Sequence, residues 1–525
     1  MTKAVGKQIA RAALIIMMAT LLGRVLGLVR EQVIAFQFGA SLASDAYKVA
    51  YTLPYIFGVM VTGAFNAAFI PLFTEAIQEQ DRTRAWRLGS AVLNLVFIVF
   101  LVFTILGEVF TPLAVHLTAP DFQGQAYTLT LDLMRIIFPT LIFAALAGIT
   151  SGMLNSMQHF LIPALGPIVS SIAVILSAFT LVPVMGIHGL AVGTLIGFFL
   201  QFAIQIPILM KKGFQYALIL DVKNPTIRRM GRLIIPVLVG VGVGQITIIV
   251  DQRFASGLAE GSVAALNFAN RMMQLPLGLF VSALVVPLFP ALSAFAAKKD
   301  LASIKVTAAQ GVNLLGMVMV PATVGLMLLA QPIVRLLLER GAFDQSDTQI
   351  TAVALFFLSI GMTGFAVREI FTRVFYSLKD TTTPVVIAAI AVTINVVLNF
   401  LLVERYGLAA LAFSTSLATY VNITLQGWFL RKRIGALFNS ETKWTWLKIG
   451  LSSLTMGIVV ETCVWLFNLE AAHLTTMGQV FRVGGTIAIG GLVYAGAILL
   501  LRIPEAQTLV NAIAGKLRRA RPSNG

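Results

Sequence analysis

Apolar residues recur along this chain in runs of about twenty or more, separated by short polar segments. An α-helix rises about 1.5 Å per residue, so roughly 20 residues are needed to cross about 30 Å of hydrocarbon. The pattern predicts fourteen membrane-spanning helices, at about 9–37, 43–77, 85–116, 125–153, 159–183, 188–211, 227–256, 261–296, 303–338, 347–378, 383–403, 407–433, 444–467 and 479–501. The first stretch, MTKAVGKQIAR and the apolar run behind it, has the outline of a signal peptide. Its apolar character continues past Phe36, well beyond the roughly 7 to 15 residues of a signal core. It is expected to be retained as the first helix.

The polar segments alternate in charge. One set carries Lys3, Lys7 and Arg11; Arg82, Arg84 and Arg87; Lys211 to Arg232; Lys298, Lys299 and Lys305; Lys379; Arg431 to Lys443; and Lys516, Arg518, Arg519 and Arg521. The intervening set, 39–44, 116–125, 183–189, 255–261 and 468–478, is nearly free of Lys and Arg; only Arg340 and Arg405 depart from the pattern. The positive-inside rule then predicts an even helix count with both termini cytoplasmic.

Composition agrees: 58% of residues are apolar, 11% are charged and mean hydropathy is +0.90, against about 25% charged residues in soluble domains. The fold class is an all-α polytopic membrane protein. A net charge of +16 raises nucleic acid as a partner, but the basic residues lie in short segments between apolar spans, where membrane lipids and topology account for them. The lone Cys463 falls in an apolar segment, so no disulfide framework or Cys-based metal site is expected.

Against this background a charge inside a span is informative, because each costs about 2.5 to 3.5 kcal/mol on insertion scales. Arg24 and Arg30 lie within the first helix, about 9 Å apart along its axis and roughly 120° apart around it, with Gly27 bisecting the arc. Two guanidinium groups flanking a gap suit a bulky anion better than one tight ion pair. Arg271 is similarly deep in the eighth span, and three planar forks converging on one cavity suit a diphosphate. Asp45 follows Ser44 at the start of the second span, as a helix cap or as a gate ion pair with Arg30. Asp251 lies in the seventh span, and Asn395 and Asn399 share one face of the eleventh; such oxygen ligands can hold Na⁺, or pack as polar core. Arg368, Glu369 and Arg373 in the tenth span either line the cavity or pair among themselves, and the pairing is the expectation. The histidines, His473 among them, show no metal-ligand spacing, and no phosphate-cradling GK[ST] loop, nucleophile elbow or HExxH is present.

A shift of about 221 positions superposes weak echoes. Val29-Arg30-Glu31-Gln32 falls on Val250-Asp251-Gln252-Arg253, Pro163 on Pro384, and, with a small gap, Gly189-Leu190-Ala191 on Gly407-Leu408-Ala409. Two parallel six-helix lobes are implied, an architecture of transporters whose site lies between repeats. The expected organisation is an N-lobe at 1–211, a basic cytoplasmic linker at 212–226, a C-lobe at 227–433, two extra helices at 434–501 and a basic tail at 502–525.

The run Gly23-Arg24-Val25-Leu26-Gly27-Leu28-Val29-Arg30-Glu31, followed by Phe38-Gly39-Ala40 and Ser44-Asp45-Ala46-Tyr47, resembles the MurJ (MviN) family of lipid II flippases in the MOP transporter superfamily. The likeness continues through Asn270-Arg271-Met272, Glu339-Arg340-Gly341-Ala342-Phe343 and the segment from Tyr376 to Pro384. It implies two pseudo-symmetric lobes, a central cavity with a lateral portal, and movement of undecaprenyl-diphosphate-linked disaccharide peptide to the outer leaflet of the bacterial cytoplasmic membrane. It implies no catalysis, a place among cell-wall synthesis proteins, and a lipid-tail groove in the last two helices. Arg24, Arg30 and Arg271 match the family's cavity arginines and Asp45 its acidic residue; Asp251, Asn395, Asn399 and Thr415 match positions implicated in Na⁺ binding. One departure is that Pro54 is followed by YIFGVMVTGAF, without the basic residues many members carry there.

The nearest rival reading is a flippase for another polyprenyl-diphosphate glycan, an O-antigen or teichoic-acid precursor. A MATE-type cation antiporter would need twelve helices and an acidic cavity. A membrane glycosyltransferase would need paired carboxylates, and the outer-loop acids Asp121, Glu260, Asp344, Asp347, Glu404 and Glu470 form no evident pairing motif.

Overall fold

The computed structural model describes residues 2–78, 82–437, 440–469 and 475–507. Glu470, His473 and the basic tail residues Lys516, Arg518, Arg519 and Arg521 lie outside the described residues. Among the described residues every regular element is a helix. Packing divides the chain into two compact units, Met1–Asn267 with Arg340–Asp347, and Phe268–Glu339 with Thr348–Gly525.

The first unit holds α1 (Thr2–Phe38), α2 (Leu42–Gln78), α3 (Arg82–Val109), α4 (Thr111–Thr118), α5 (Gly124–Ile137), α6 (Thr140–Ser156), α7 (Leu161–Thr180), α8 (Val182–Met185), α9 (His188–Ala203), α10 (Ile206–Lys211), α11 (Pro225–Ala255) and the start of α12 (Ser262–Ala297). Helix α2 is central, packing on α5, α6 and α11, while α7 lies against α1 and α9. With no hydrophobic drive between helices in lipid, close approach depends on small side chains. At the α7–α9 contact a Cβ on Gly193 would stand 1.9 Å from Ser177 Oγ, so glycine is what lets the two backbones meet.

The second unit holds the rest of α12 and α13 (Leu301–Leu328), α14 (Ala330–Leu338), α15 (Gln345–Ile360), α16 (Met362–Ser377), α17 (Thr382–Ile434), α18 (Ser440–Leu466) and α19 (Thr476–Leu500). Helix α13 packs on α16 and α18, and α18 on α19. Their core is built from Leu329, Met456, Val460, Val464, Val483 and Tyr494.

Helix starts follow from capping. Asn224 accepts from Thr226 N at 2.9 Å and begins α11, and Asp300 accepts from Ser303 N at 3.0 Å and begins α13. Hydrogen bonds from Ser303 hold the Asp300 carboxyl below the usual carboxylate range.

Among the described residues eleven helical segments are long and apolar enough to cross a membrane, α5 with α6 and α9 with α10 each forming one of them. Helix α17 contains two of the expected spans, broken at Gly407, where φ is 56° and ψ −135°. Helices α15 and α16, bent by 40° where they meet, are long and apolar enough only when taken together. With the 37-residue α1, each of the fourteen expected segments has its helix.

Candidate functional site

Helix α1 presents Arg24 and Arg30, both half-buried, with Gly27 between them. A Cβ built on Gly27 would meet nothing within 4 Å. The helix surface at Gly27 therefore borders open space.

Arg30 does not face that space alone. Its Nη2 donates to Glu31 Oε1 at 3.0 Å, and Lys48 Nζ on α2 donates to the other oxygen, Glu31 Oε2. Glu31 and Lys48 are buried, and the side chain of Arg30 is only 13% exposed. Two cations thus share one carboxylate, leaving this group with one net positive charge in a setting where removing a partner is costly. Tyr47 stacks on Tyr51 with centroids 6.4 Å apart, and Tyr47 Oη lies 2.8 Å from Thr194 Oγ1. One turn past Lys48, Thr52 Oγ1 donates to Gln252 Oε1 on α11. Arg30 Nε and Gln252 Nε2 are buried without a hydrogen-bond acceptor, so the group has donor capacity in reserve as well as positive charge.

Glu31, Lys48 and Gln252 were not singled out as site residues from the sequence. Lys48 carried a usable signal, since a lysine inside a membrane-length apolar helix is expensive by the same rule that marks the arginines. It also bears on the absence of basic residues after Pro54: in this chain the cation of α2 lies before the proline.

Asp45 serves a helix other than its own. Its Oδ2 accepts from Gly261 N and its Oδ1 from Ala264 N, each at 2.7 Å, capping the start of α12. No ion pair joins it to Arg30; both carboxylate oxygens are taken by these amides, which replaces the gate pair with a structural cap. Around it, Glu260 Oε1 accepts from Leu42 N at 2.8 Å, Asp347 Oδ2 from Ala40 N at 2.9 Å, and Phe36 O from Ala342 N at 2.9 Å. The turn after α1, the turn before α12 and the segment 340–347 are therefore fastened together by carboxylates that cap amides. Gly261, at φ 86°, sits where a Cβ would be 2.1 Å from Ala40 O.

In the second unit Arg271 is half-buried on α12. Depth alone does not mark an arginine as available. Arg335, 2% exposed, donates through Nε to Glu339 Oε2 at 2.9 Å, and Thr348 Oγ1 donates to that same oxygen at 2.7 Å. Arg368 lies 3.8 Å from Glu369, as expected, whereas Arg373 packs over the ring of Phe289 at 5.4 Å.

Asn395, Asn399 and Thr415 come together on α17. Asn395 Nδ2 donates to Thr415 Oγ1 at 3.2 Å and Asn399 Nδ2 to Asn395 Oδ1 at 3.3 Å. These are neutral oxygen donors of the type a hard cation takes, and both amides are buried. Asp251, the acid named with them from the sequence, belongs to the first unit. Among the described residues no group of three or more His, Cys, Asp and Glu side chains is placed to hold a metal.

An apolar groove of about 540 Å³ runs between α13 and α18, lined by Val320, Val324, Leu328, Gly457 and Ile458, with Glu461 the acid among them. A second, polar hollow of about 610 Å³ lies at the ends of α2, α3 and α11.

Known proteins are similar to this chain over most of its length. The family described as lipid II flippase MurJ matches residues 34–481. A probable lipid II flippase MurJ of Rickettsia prowazekii (strain Madrid E) is 28% identical over 501 residues, covering 94% of this chain and 98% of that protein. A solved lipid II flippase MurJ in an inward closed conformation superposes with a TM-score of 0.79 at 27% identity, over 95% of this chain and 100% of that one. An inward-facing MATE-family transporter of the MOP superfamily gives 0.68 at 15% identity, over 81% of this chain and 98% of its own, a likeness of fold alone. The carriers of the resemblance, the Arg24 to Arg30 helix and the Asp45 turn, lie within or beside the matched span, and the chain belongs to the lipid II flippase MurJ family.

Proposed function

We propose that this chain is a transporter that carries lipid II from the inner to the outer leaflet of the bacterial cytoplasmic membrane by alternating access. The observation that carries the reading is the open space at Gly27, flanked by Arg24 and by the positively charged Arg30–Glu31–Lys48 group. A diphosphate entering there gains charge-assisted hydrogen bonds from groups already oriented, and its two negative charges are met by the one surplus charge of the cluster together with Arg24. Arg271 completes the headgroup site from the C-lobe, and the apolar groove along α18 receives part of the undecaprenyl chain.

With the termini in the cytoplasm, each negative charge moved outward across an inside-negative potential gains about 2.3 kcal/mol per 100 mV. Return of the emptied, arginine-bearing cavity is then the costly step. Na⁺ held by Asp251, Asn395, Asn399 and Thr415 offsets it. The lobes at 1–211 and 227–433 rock about the site, and cell-wall synthesis proteins consume the product.

Arg24→Ala and Arg271→Ala test the site. In cells depleted of the native chain, each variant is expected to leave newly made lipid II inaccessible to an impermeant probe at the outer surface. Size-exclusion profiles should stay those of the folded protein. Full accessibility with both variants would remove the headgroup site. Normal lipid II exposure on depletion, with another polyprenyl-diphosphate glycan retained inside, would reassign the substrate.

A further inference from the structure

We infer that the polar hollow at the ends of α2, α3 and α11 is a second binding site, for a phosphate ester carrying a hydroxyl or ammonium group. The hollow, about 610 Å³ and lined by Arg84, Arg87, Arg229, Glu75, Asp221 and Asn224, falls within the roughly 300–1,000 Å³ of small-molecule sites. Its residues play no part in the headgroup site, and the sequence marked them only as topological charge.

One wall is built in advance. The segment after α10 is tied across α3, with Asn94 Nδ2 donating to Ala217 O at 3.0 Å and Ile219 O at 2.9 Å. Tyr216 Oη donates to Asn94 Oδ1 at 2.6 Å, Ala217 N donates to Ser90 Oγ at 3.2 Å, and Phe214 meets Trp86 edge-on at 5.5 Å. This fastening holds Ile219 and Asp221 at the rim without a ligand.

The polar groups then specify the chemistry. Arg87 makes no hydrogen bond or ion pair with any described residue, and Arg229 has only a 3.7 Å pairing with Glu75 between well-exposed side chains. Such a pair holds its guanidinium weakly. Planar guanidinium forks chelate phosphate oxygens. Glu75 and Asp221 disfavour a bare polyanion but accept hydrogen bonds from a hydroxyl or ammonium group on the same molecule. An anionic or zwitterionic phospholipid headgroup and a soluble phosphate ester share these features.

Native mass spectrometry of the full delipidated chain in detergent separates the sources, with phosphatidylglycerol as one probe and glycerol 3-phosphate as the other. At least one should be retained, and the double variant Arg87→Gln/Arg229→Gln should weaken retention about tenfold, the effect of losing charge-assisted bonds. Retention of the lipid alone assigns the site to a headgroup, and retention of the soluble ester assigns it to a free metabolite. Failure of the native chain to hold either probe, or equal retention by the variant, overturns the inference. If the double variant does not fold, Arg87→Gln alone serves, since that side chain makes no hydrogen bond or ion pair with any described residue.

Discussion

Arg30 illustrates how a membrane-depth cation is kept. Its guanidinium is held by Glu31, which Lys48 holds in turn, so the group carries one surplus charge on a network rather than on an isolated side chain. Gly27 is the other half of this arrangement, and its role is absence of bulk. Gly27→Ala should fold at least as well, since Ala favours a helix interior by about 1 kcal/mol and the added methyl meets nothing. Gly27→Phe should fold but fill the space between Arg24 and Arg30. Complementation of a depletion strain, read beside protein level in the membrane, distinguishes the two: Ala supports growth and Phe does not. Growth supported by Phe would mean that the headgroup passes elsewhere. The arginines were legible in the sequence because any charge in an apolar span stands out. Their partners were not, because whether a guanidinium is paired or presented depends on a neighbouring helix that spacing alone cannot supply.

At the level of the element, the joint among the α1–α2 turn, the start of α12 and 340–347 rests on carboxylates that cap amides across long sequence separations. Asp45→Ala removes two hydrogen bonds to a charged acceptor and leaves two buried amides unsatisfied, a loss of about 1.5 to 3 kcal/mol for each bond. Hydrogen exchange should show faster exchange at Gly261 and Ala264, with protection along α7 and α9 unchanged. Uniform loss of protection across the first unit would mean instead that Asp45 supports the whole unit. The helices themselves were legible as apolar runs of sufficient length, and the break in α17, expected at 404–406, falls beside it at Gly407. The capping was half legible: Asp45 has the residue type and position of a cap, but the helix it serves lies more than two hundred residues away.

For the whole molecule the issue is which end faces which compartment. The charge alternation puts 183–189 outside and 211–232 inside, and the only cysteine, Cys463, is buried, so the native chain offers a low labelling background. Val184→Cys, at a side chain 84% exposed, should react with a membrane-impermeant maleimide added to intact spheroplasts, whereas Lys212→Cys should react only after lysis. The reverse pattern would invert the orientation and with it the direction in which the membrane potential favours the anion.

The amino-acid pattern by itself determined the class and the approximate run of spans, and it marked Arg24, Arg30 and Arg271 as charges within long apolar runs, because the cost of burying charge in hydrocarbon acts on each residue wherever its neighbours are. Tertiary structure alone decided that Glu31 and Lys48 join Arg30, that Asp45 caps α12, that Gly27 borders open space, and that the basic segment after α10 walls a polar hollow. Those are contacts between helices, and their energies depend on which faces meet, a quantity that no local periodicity encodes.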